Sequence, residues 1–127
     1  MIKKLFTTDL YVKVSKNKLV AKNLSTNSSW QSITPEKPFT TDRLLVGTFS
    51  AAEPTLAQLV KKLLPKGLLK KSPQILIHPV DMVEGGLSEV ESRVFRELAF
   101  GAGACRVVLY VGSELSDSEA VKLIGSA

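Results

Sequence analysis

The segment that decides the fold is PQILIH at residues 73–78, followed by SEVESRVFRELA at residues 88–99 and RVVLYV at residues 106–111. The first and third pieces are short apolar runs, typical of strands that are buried in a parallel sheet. The middle piece begins with the capping-box pattern S-x-x-E and continues with apolar residues at helical spacing. GAG at residues 101–103 predicts the end of this helix. The strand–helix–strand order predicts a right-handed parallel crossover.

The N-terminal part of the chain predicts a hairpin. DLYVKVS at residues 9–15 alternates apolar and polar side chains, as expected for a strand with one buried face. A turn follows that contains Asn17, a residue that tolerates the left-handed conformation. Residues 19–23 then return as the second strand, and a segment around residues 29–33 extends the sheet.

Three further elements are expected. RLLVGTF at residues 43–49 is apolar and predicts another strand. A helix is expected to begin at Pro54, because the first helical position does not need the N–H that proline lacks, and to end before Pro65. Ser116 is expected to cap a final short helix that ends at Ile124. Together these elements predict an α/β fold with a mixed sheet, in which an antiparallel meander precedes a parallel strand–helix–strand unit.

Length and composition bound the class of protein. The chain has 127 residues, of which 44% are hydrophobic, so we expect one domain over residues 1–127 with a single core. One cysteine excludes an internal disulfide. No stretch approaches the roughly 18–20 apolar residues that a membrane span needs. MIKKLF at residues 1–6 lacks the apolar region of a signal peptide. We therefore expect a cytoplasmic protein.

Charge is distributed unevenly along the chain. Residues 1–71 carry 13 basic and 4 acidic side chains, whereas residues 72–127 carry 4 basic and 8 acidic ones. Such asymmetry is typical of a basic face that binds nucleic acid, anionic lipid or an acidic partner. It is equally typical of two faces that associate head to tail, and of a solvated surface without such a role. The densest basic run gives a possible basic binding surface, made of Lys61, Lys62, Lys66, Lys70 and Lys71. Aromatic residues for stacking on bases do not interleave with these lysines.

Several features, in their order along the chain, resemble the bacterial actin homologue MreB. They are MIKKLF at residues 1–6, ILIHP at residues 75–79, the helix start SEVESR at residues 88–93, GAGA at residues 101–104 and the apolar strand that follows. The resemblance implies the first subdomain (IA) of the actin-like fold, which is a ribonuclease-H-like βββαβα layer. It also implies a connection to the bacterial cytoskeleton and to cell shape.

The chain departs from this family where nucleotide chemistry is concentrated. The family's first phosphate loop, Asp-x-Gly-Thr, corresponds to Lys13-Val-Ser-Lys16, and its Glu-Glu-Pro corresponds to Val111-Gly-Ser113. The first change removes the metal-holding carboxylate and the glycine at which backbone amides approach phosphate. The resemblance therefore implies a chain without an ATP site and without a cofactor. Lys13 and Lys16 could still bind an anion.

Few other residues suggest chemistry. His78 is the only histidine; it ends a strand beside Pro79, and Asp81 and Glu84 follow in a loop. A general base needs an orienting group and a nucleophile or a metal, and one histidine with two loop carboxylates is not a metal signature. A structural histidine is the favoured interpretation. Cys105 is expected to be a buried, inert thiol.

These observations predict a non-catalytic protein-interaction module, without catalytic, cofactor-binding or metal-binding residues and without a small-molecule substrate. The expected partner is a second copy of the chain or an actin-like filament protein. The alternative is a binder of nucleic acid or an anionic membrane that uses the basic N-terminal half. A ribonuclease-H-like enzyme ranks lowest, because such an enzyme needs a cluster of acidic metal ligands and the first strand offers only Asp9.

Overall fold

The computed structural model describes residues 6–26, 28–65 and 71–126. Its elements follow the order βββαβαβα. The strands are β1 (Thr7–Ser15), β2 (Lys18–Asn23), β3 (Gln31–Ile33), β4 (Ser72–Pro79) and β5 (Arg106–Leu109). The helices are α1 (Phe49–Leu63), α2 (Glu89–Gly101) and α3 (Asp117–Ser126). The chain therefore has the predicted α/β class. Within the described residues, no helix is both long enough and apolar enough to cross a membrane.

The five strands form one mixed sheet in the order β3-β2-β1-β4-β5. Strands β1, β2 and β3 are an antiparallel meander, while β1, β4 and β5 run parallel, with Leu10 beside Ile75 and Ile75 beside Val107. The predicted hairpin is confirmed. Asn17 adopts a φ of 51° in its turn, and its side-chain oxygen accepts hydrogen bonds from the amides of Phe39 and Thr40, both at 2.9 Å.

The two faces of the sheet are covered unequally. On the first face, α1 packs over β2 and β3, and α2 packs over β4 and β5. This face holds the larger core, which includes Leu10, Val12, Val14, Phe39, Leu56, Leu59, Ile75, Ile77, Phe95 and Leu98. On the second face, α3 covers a smaller cluster of Tyr11, Leu76, Val108, Ala120 and Ile124. Alternation along β1 explains the division, because successive side chains of a strand point to opposite faces.

Both predicted helix starts in the C-terminal half are confirmed. The Ser88 hydroxyl accepts from the Glu91 amide at 3.1 Å, and the Glu91 carboxylate accepts from the Ser88 amide at 3.0 Å. Ser116 and Glu119 repeat this arrangement at the start of α3. Each pair satisfies two backbone donors that a helix start would otherwise leave unpaired, which typically stabilises a protein by about 0.5–2 kcal/mol.

The prediction of a strand at residues 43–49 is wrong. Most of this segment is a loop held by its own backbone, since the amides of Gly47 and Thr48 both donate to the Phe39 carbonyl at 2.9 Å. Leu45 and Val46 are buried, so the apolar run packs into the first-face core without pairing with a strand. The reason is that burial and strand pairing are separate requirements, and the run satisfies only burial.

Helix α1 begins five residues earlier than predicted, at Phe49, and Pro54 lies inside it. A proline there removes the hydrogen bond to the carbonyl of Ser50, four residues before it. Ser50 is exposed, so water can bind that carbonyl, and the cost of the missing bond is reduced.

Candidate functional site

The carboxyl ends of β1, β4 and β5 meet at one edge of the sheet, the position where parallel α/β sheets commonly bind ligands. The polar and aromatic side chains gathered there form what we call the carboxyl-end cluster. Its members are Tyr11, Lys13, His78, Tyr110 and Glu114. They come from two strands and from the segment between β5 and α3, and Tyr11 and Glu114 lie 103 residues apart in the sequence (114 − 11).

His78 is the centre of this cluster and is 1% exposed. Its Nε2 lies 2.8 Å from the Gly112 carbonyl oxygen, which can only accept, so Nε2 carries the proton. Its Nδ1 lies 2.9 Å from the Tyr11 hydroxyl, which therefore donates to it. The Tyr11 hydroxyl in turn accepts from the Leu115 amide at 3.2 Å. This chain of hydrogen bonds fixes one tautomer of the imidazole and ties the β5–α3 segment to the sheet.

Burial acts on the acid–base properties of both rings. It lowers the pKa of His78, because the charged imidazolium loses its hydration, and the nearby Lys13 ammonium lowers it further. Hydrogen bonding to Gly112 and the Glu114 charge oppose these effects. Burial also raises the pKa of Tyr11. Both groups are therefore neutral near pH 7, as their hydrogen bonds require.

The lowered pKa of His78 predicts a pH dependence of stability. The unfolded chain takes up a proton near the ordinary value of 6.5, whereas the folded chain resists protonation. Below that pH the unfolded state binds more protons, so the free energy of unfolding falls as the pH falls towards the folded pKa. We expect denaturant unfolding between pH 8 and pH 5 to show this loss, and His78→Leu to remove it. Because the chain has one histidine, a loss of the same size in this variant would contradict a lowered pKa of His78.

Two lysines of the second face lie over the ring of Trp30. The Nζ atoms of Lys13 and Lys22 lie 4.2 and 4.8 Å from the centre of the indole, and the Tyr11 ring packs edge-on against it with centroids 5.2 Å apart. Lys13 donates to Glu114 at 2.8 Å, and Lys22 forms an ion pair with Asp117 at the start of α3. The hydrogen bond from Lys13 lowers the pKa of Glu114. These contacts hold α3 and the segment before it on the sheet.

The loop after β4 closes against the β1–β2 turn. Asp81 Oδ2 accepts from the Lys16 amide at 2.9 Å, and the Val80 amide donates to the Val14 carbonyl at 2.9 Å. Met82 has a φ of 55°, which is unusual for a residue with a side chain, and it packs against the first-face core. Asp81 is thus bound by the turn, while Glu84 is exposed in the loop. The hydrogen-bond partners of His78 are Tyr11 and Gly112, not these two carboxylates.

The possible basic binding surface is only partly within the described residues. Lys61 and Lys62 are exposed in the last turn of α1, and Lys71 is half-buried just before β4, where it lines a cleft with Asp9 and Gln74. Lys66 and Lys70 lie outside the described residues. The structure therefore places two of the five lysines together on one helix end.

The expectation for Cys105 was wrong, because this residue is exposed. It precedes the short strand β5, which is the edge of the sheet among the residues that the structure describes. Within the described residues, no three or more His, Cys, Asp or Glu side chains lie close enough together to hold a metal ion.

Sequence reasoning missed an apolar groove between the loop before α1 and the first half of α2. We call it the α2 groove; it is lined by Leu44, Leu45, Val46, Val90, Glu91, Val94 and Phe95. Val90 is 70% exposed and Leu44 is 37% exposed at its rim. The helical spacing of the apolar residues in 88–99 predicts Val90 on the buried face of the helix together with Val94, Phe95, Leu98 and Ala99, and for Val90 this prediction is wrong. Its place in the first turn could have indicated otherwise, because the core contacts of α2 are concentrated in its second half.

Fold and site together define an α/β protein with a five-stranded mixed sheet, in which the edge formed by the carboxyl ends of the strands is closed by internal hydrogen bonds and ion pairs. No family model matches the sequence. The chain is 33% identical over 98 residues to the uncharacterized protein YjaA of Escherichia coli (strain K12), a match that covers 73% of this chain and 75% of that protein. The chain belongs to the YjaA family.

Proposed function

We propose that this protein is a non-catalytic protein-interaction module built on an actin-like, MreB-related layer, and that it binds an actin-like filament protein or a second copy of itself. Two observations support the layer. The element order βββαβαβα contains the βββαβα pattern that the resemblance to MreB implies, and the antiparallel meander precedes the parallel unit as expected. Binding to such a filament would connect the protein to cell shape.

Two carboxylates at the carboxyl ends of the strands support a module that does not bind a nucleotide. The family's phosphate loop corresponds to residues 13–16. Here the Lys13 ammonium is engaged by Glu114, and the Lys16 amide is engaged by Asp81. A phosphate would have to displace both carboxylates from these donors and would be repelled by their negative charge.

The observation that carries the proposal is the α2 groove. The groove has exposed valine and leucine at its rim. When a partner removes this apolar surface from water, the complex is stabilised by about 25 cal/mol for each Å² buried. The buried Leu45, Val46 and Phe95 form the floor beneath it. A filament subunit that inserts an apolar side chain between Leu44 and Val90 would be held by such burial, with little dependence on salt.

Co-sedimentation with polymerised, purified MreB tests this proposal. We expect the wild-type protein to pellet with the filament, and Val90→Asp to weaken binding at least about tenfold, because a carboxylate in the groove must be desolvated on binding. An aspartate in the first turn of α2 is compatible with the helix dipole, so the variant should fold. Val121→Asp, at an exposed valine on α3, is the matched control and should bind like the wild type. Equal pelleting of all three proteins, or none, would contradict the proposal.

The second candidate is a binder of nucleic acid or anionic membrane. The exposure of Lys61 and Lys62 on one helix end favours it, whereas Lys13 and Lys22 are already paired with Glu114 and Asp117. This candidate predicts that affinity for a DNA duplex or for anionic vesicles falls steeply with salt concentration, and that Lys61→Glu with Lys62→Glu abolishes it. Affinity that does not change with salt would exclude it.

A further inference from the structure

Strand β5 is one edge of the sheet. Within the described residues its only strand neighbour is β4. Edge strands are normally shielded by lysine, proline, a bulge or very short length. The opposite edge, β3, has three residues and is followed closely by Pro35. Strand β5 has four residues, and together with the two residues after it reads RVVLYV, with one arginine at the start and neither lysine nor proline. Such β-branched and aromatic residues favour strand pairing.

The side of α2 next to this edge is also suited to a partner. Helix α1 packs against the opposite side of α2, where Glu53 approaches Gly101. At helical spacing, Ser92, Arg96 and Phe100 lie on the side that faces away from α1 and towards the β5 edge. We call this row of side chains the α2 stripe. Phe100, its apolar member, is 52% exposed.

We propose that a second copy of this chain pairs with β5 in antiparallel orientation about a two-fold axis at Val108, so that the two sheets become continuous. In this register Val107 lies opposite the partner's Leu109, and Arg106 lies opposite the partner's Tyr110, whose ring attracts a guanidinium. No pair of like charges is placed face to face along the strands.

Charge complementarity on α2 argues for a copy of the same chain as the occupant. The two-fold axis reverses the direction of the partner's helix, so the α2 stripe of one copy runs against the α2 stripe of the other. Glu89, near the amino end of the helix, then faces the partner's Arg96, and the reciprocal pair forms on the other side of the axis. A single surface therefore supplies both halves of the interface.

This inference rests on the proposed function only in treating the chain as a protein-interaction module. The two surfaces are separate, because the β5 edge and the α2 groove lie on opposite sides of α2. Light scattering coupled to size exclusion, at two protein concentrations, tests it. We expect a dimer, and we expect Arg96→Glu to raise the dissociation constant at least about tenfold by placing two carboxylates together. The charge swap Glu89→Arg with Arg96→Glu should restore dimerisation, which a merely damaged fold would not do.

A second variant keeps the register falsifiable. In a Cys105→Ser background, Val108→Cys places one thiol of each copy at the proposed axis, and mild oxidation should give a covalent dimer. Val121→Cys in the same background should not. A monomer at every concentration, or a charge swap that fails to rescue, would overturn the inference. Filament binding distinguishes the two surfaces: Val90→Asp should still dimerise, and Arg96→Glu should still bind the filament.

Discussion

Replacing Phe39 by alanine is expected to lower the free energy of unfolding by about 3–5 kcal/mol, the range for truncating a buried phenylalanine. Phe39 is completely buried in the first-face core, although it belongs to neither a helix nor a strand. Its carbonyl accepts from Gly47 and Thr48, and its amide donates to the Asn17 side chain. The ring thus anchors the loop between β3 and α1, and its loss leaves a cavity beneath that loop.

Denaturant unfolding monitored through Trp30 measures this effect. Phe39→Leu, which keeps most of the apolar volume, should lose considerably less stability than the alanine variant. Phe49→Ala is the matched control, because that phenylalanine is half-buried at the start of α1. If Phe39→Ala costs no more than Phe49→Ala, the loop is not anchored in the way described.

The same substitution connects stability to function. Leu44, Leu45 and Val46 belong to the loop that Phe39 anchors, and they line the α2 groove. If the protein binds a filament through the α2 groove as proposed, Phe39→Ala should weaken that binding under conditions in which the protein is still folded. The proposed dimerisation through β5 should be unchanged. Local loosening of this loop would appear as faster amide exchange at Gly47 and Thr48, whose hydrogen bonds end on the Phe39 carbonyl.

The elements that could be predicted from the sequence are those specified by nearby residues. The capping box of Ser88 and Glu91 and the left-handed Asn17 act over three residues or fewer, and the structure confirms both. The segment at residues 43–49 was misassigned because its apolar residues satisfy a tertiary requirement. Whether an apolar run pairs with a strand or packs as a loop depends on partners such as Phe39, which local patterns do not specify.

The candidate site shows the same division. The structural interpretation of His78 follows from its isolation among ionisable residues, but its partner Tyr11 lies 67 residues away and was read only as part of a strand. Likewise, Lys13 and Lys22 were counted towards a basic half, whereas the fold brings them to Glu114 and Asp117 from the acidic half. Part of the charge asymmetry along the sequence is therefore neutralised within the molecule, because the strand order places the two halves against each other.

Removing the Tyr11 hydroxyl is expected to have the largest effect in the carboxyl-end cluster. Tyr11→Phe preserves the ring that packs against Leu76 and Trp30, but it leaves the buried His78 Nδ1 without a donor and the Leu115 amide without an acceptor. An unpaired buried polar group costs about 1–3 kcal/mol, so a loss of free energy of unfolding in this range or above is expected. Tyr110→Phe is the control: it also removes one tyrosine hydroxyl, but from a hydrogen bond to Ser113 at the surface, so its effect should be smaller.

A double-mutant cycle with His78→Leu separates the hydrogen bond from the packing. Each single variant leaves a hydrogen-bonding group without its partner. Tyr11→Phe leaves the His78 Nδ1 atom unpaired, and His78→Leu leaves the Tyr11 hydroxyl proton and the Gly112 carbonyl unpaired. The double variant removes both sides of the central bond and leaves two backbone groups in the segment before α3, where Gly112 is exposed and Leu115 is half-buried. The double variant should therefore be more stable than the sum of the single losses predicts, with a coupling of about 0.5–3 kcal/mol. Strict additivity would mean that the hydroxyl and the imidazole act independently. The closure of the carboxyl-end edge would then depend on Trp30 and its two lysines instead.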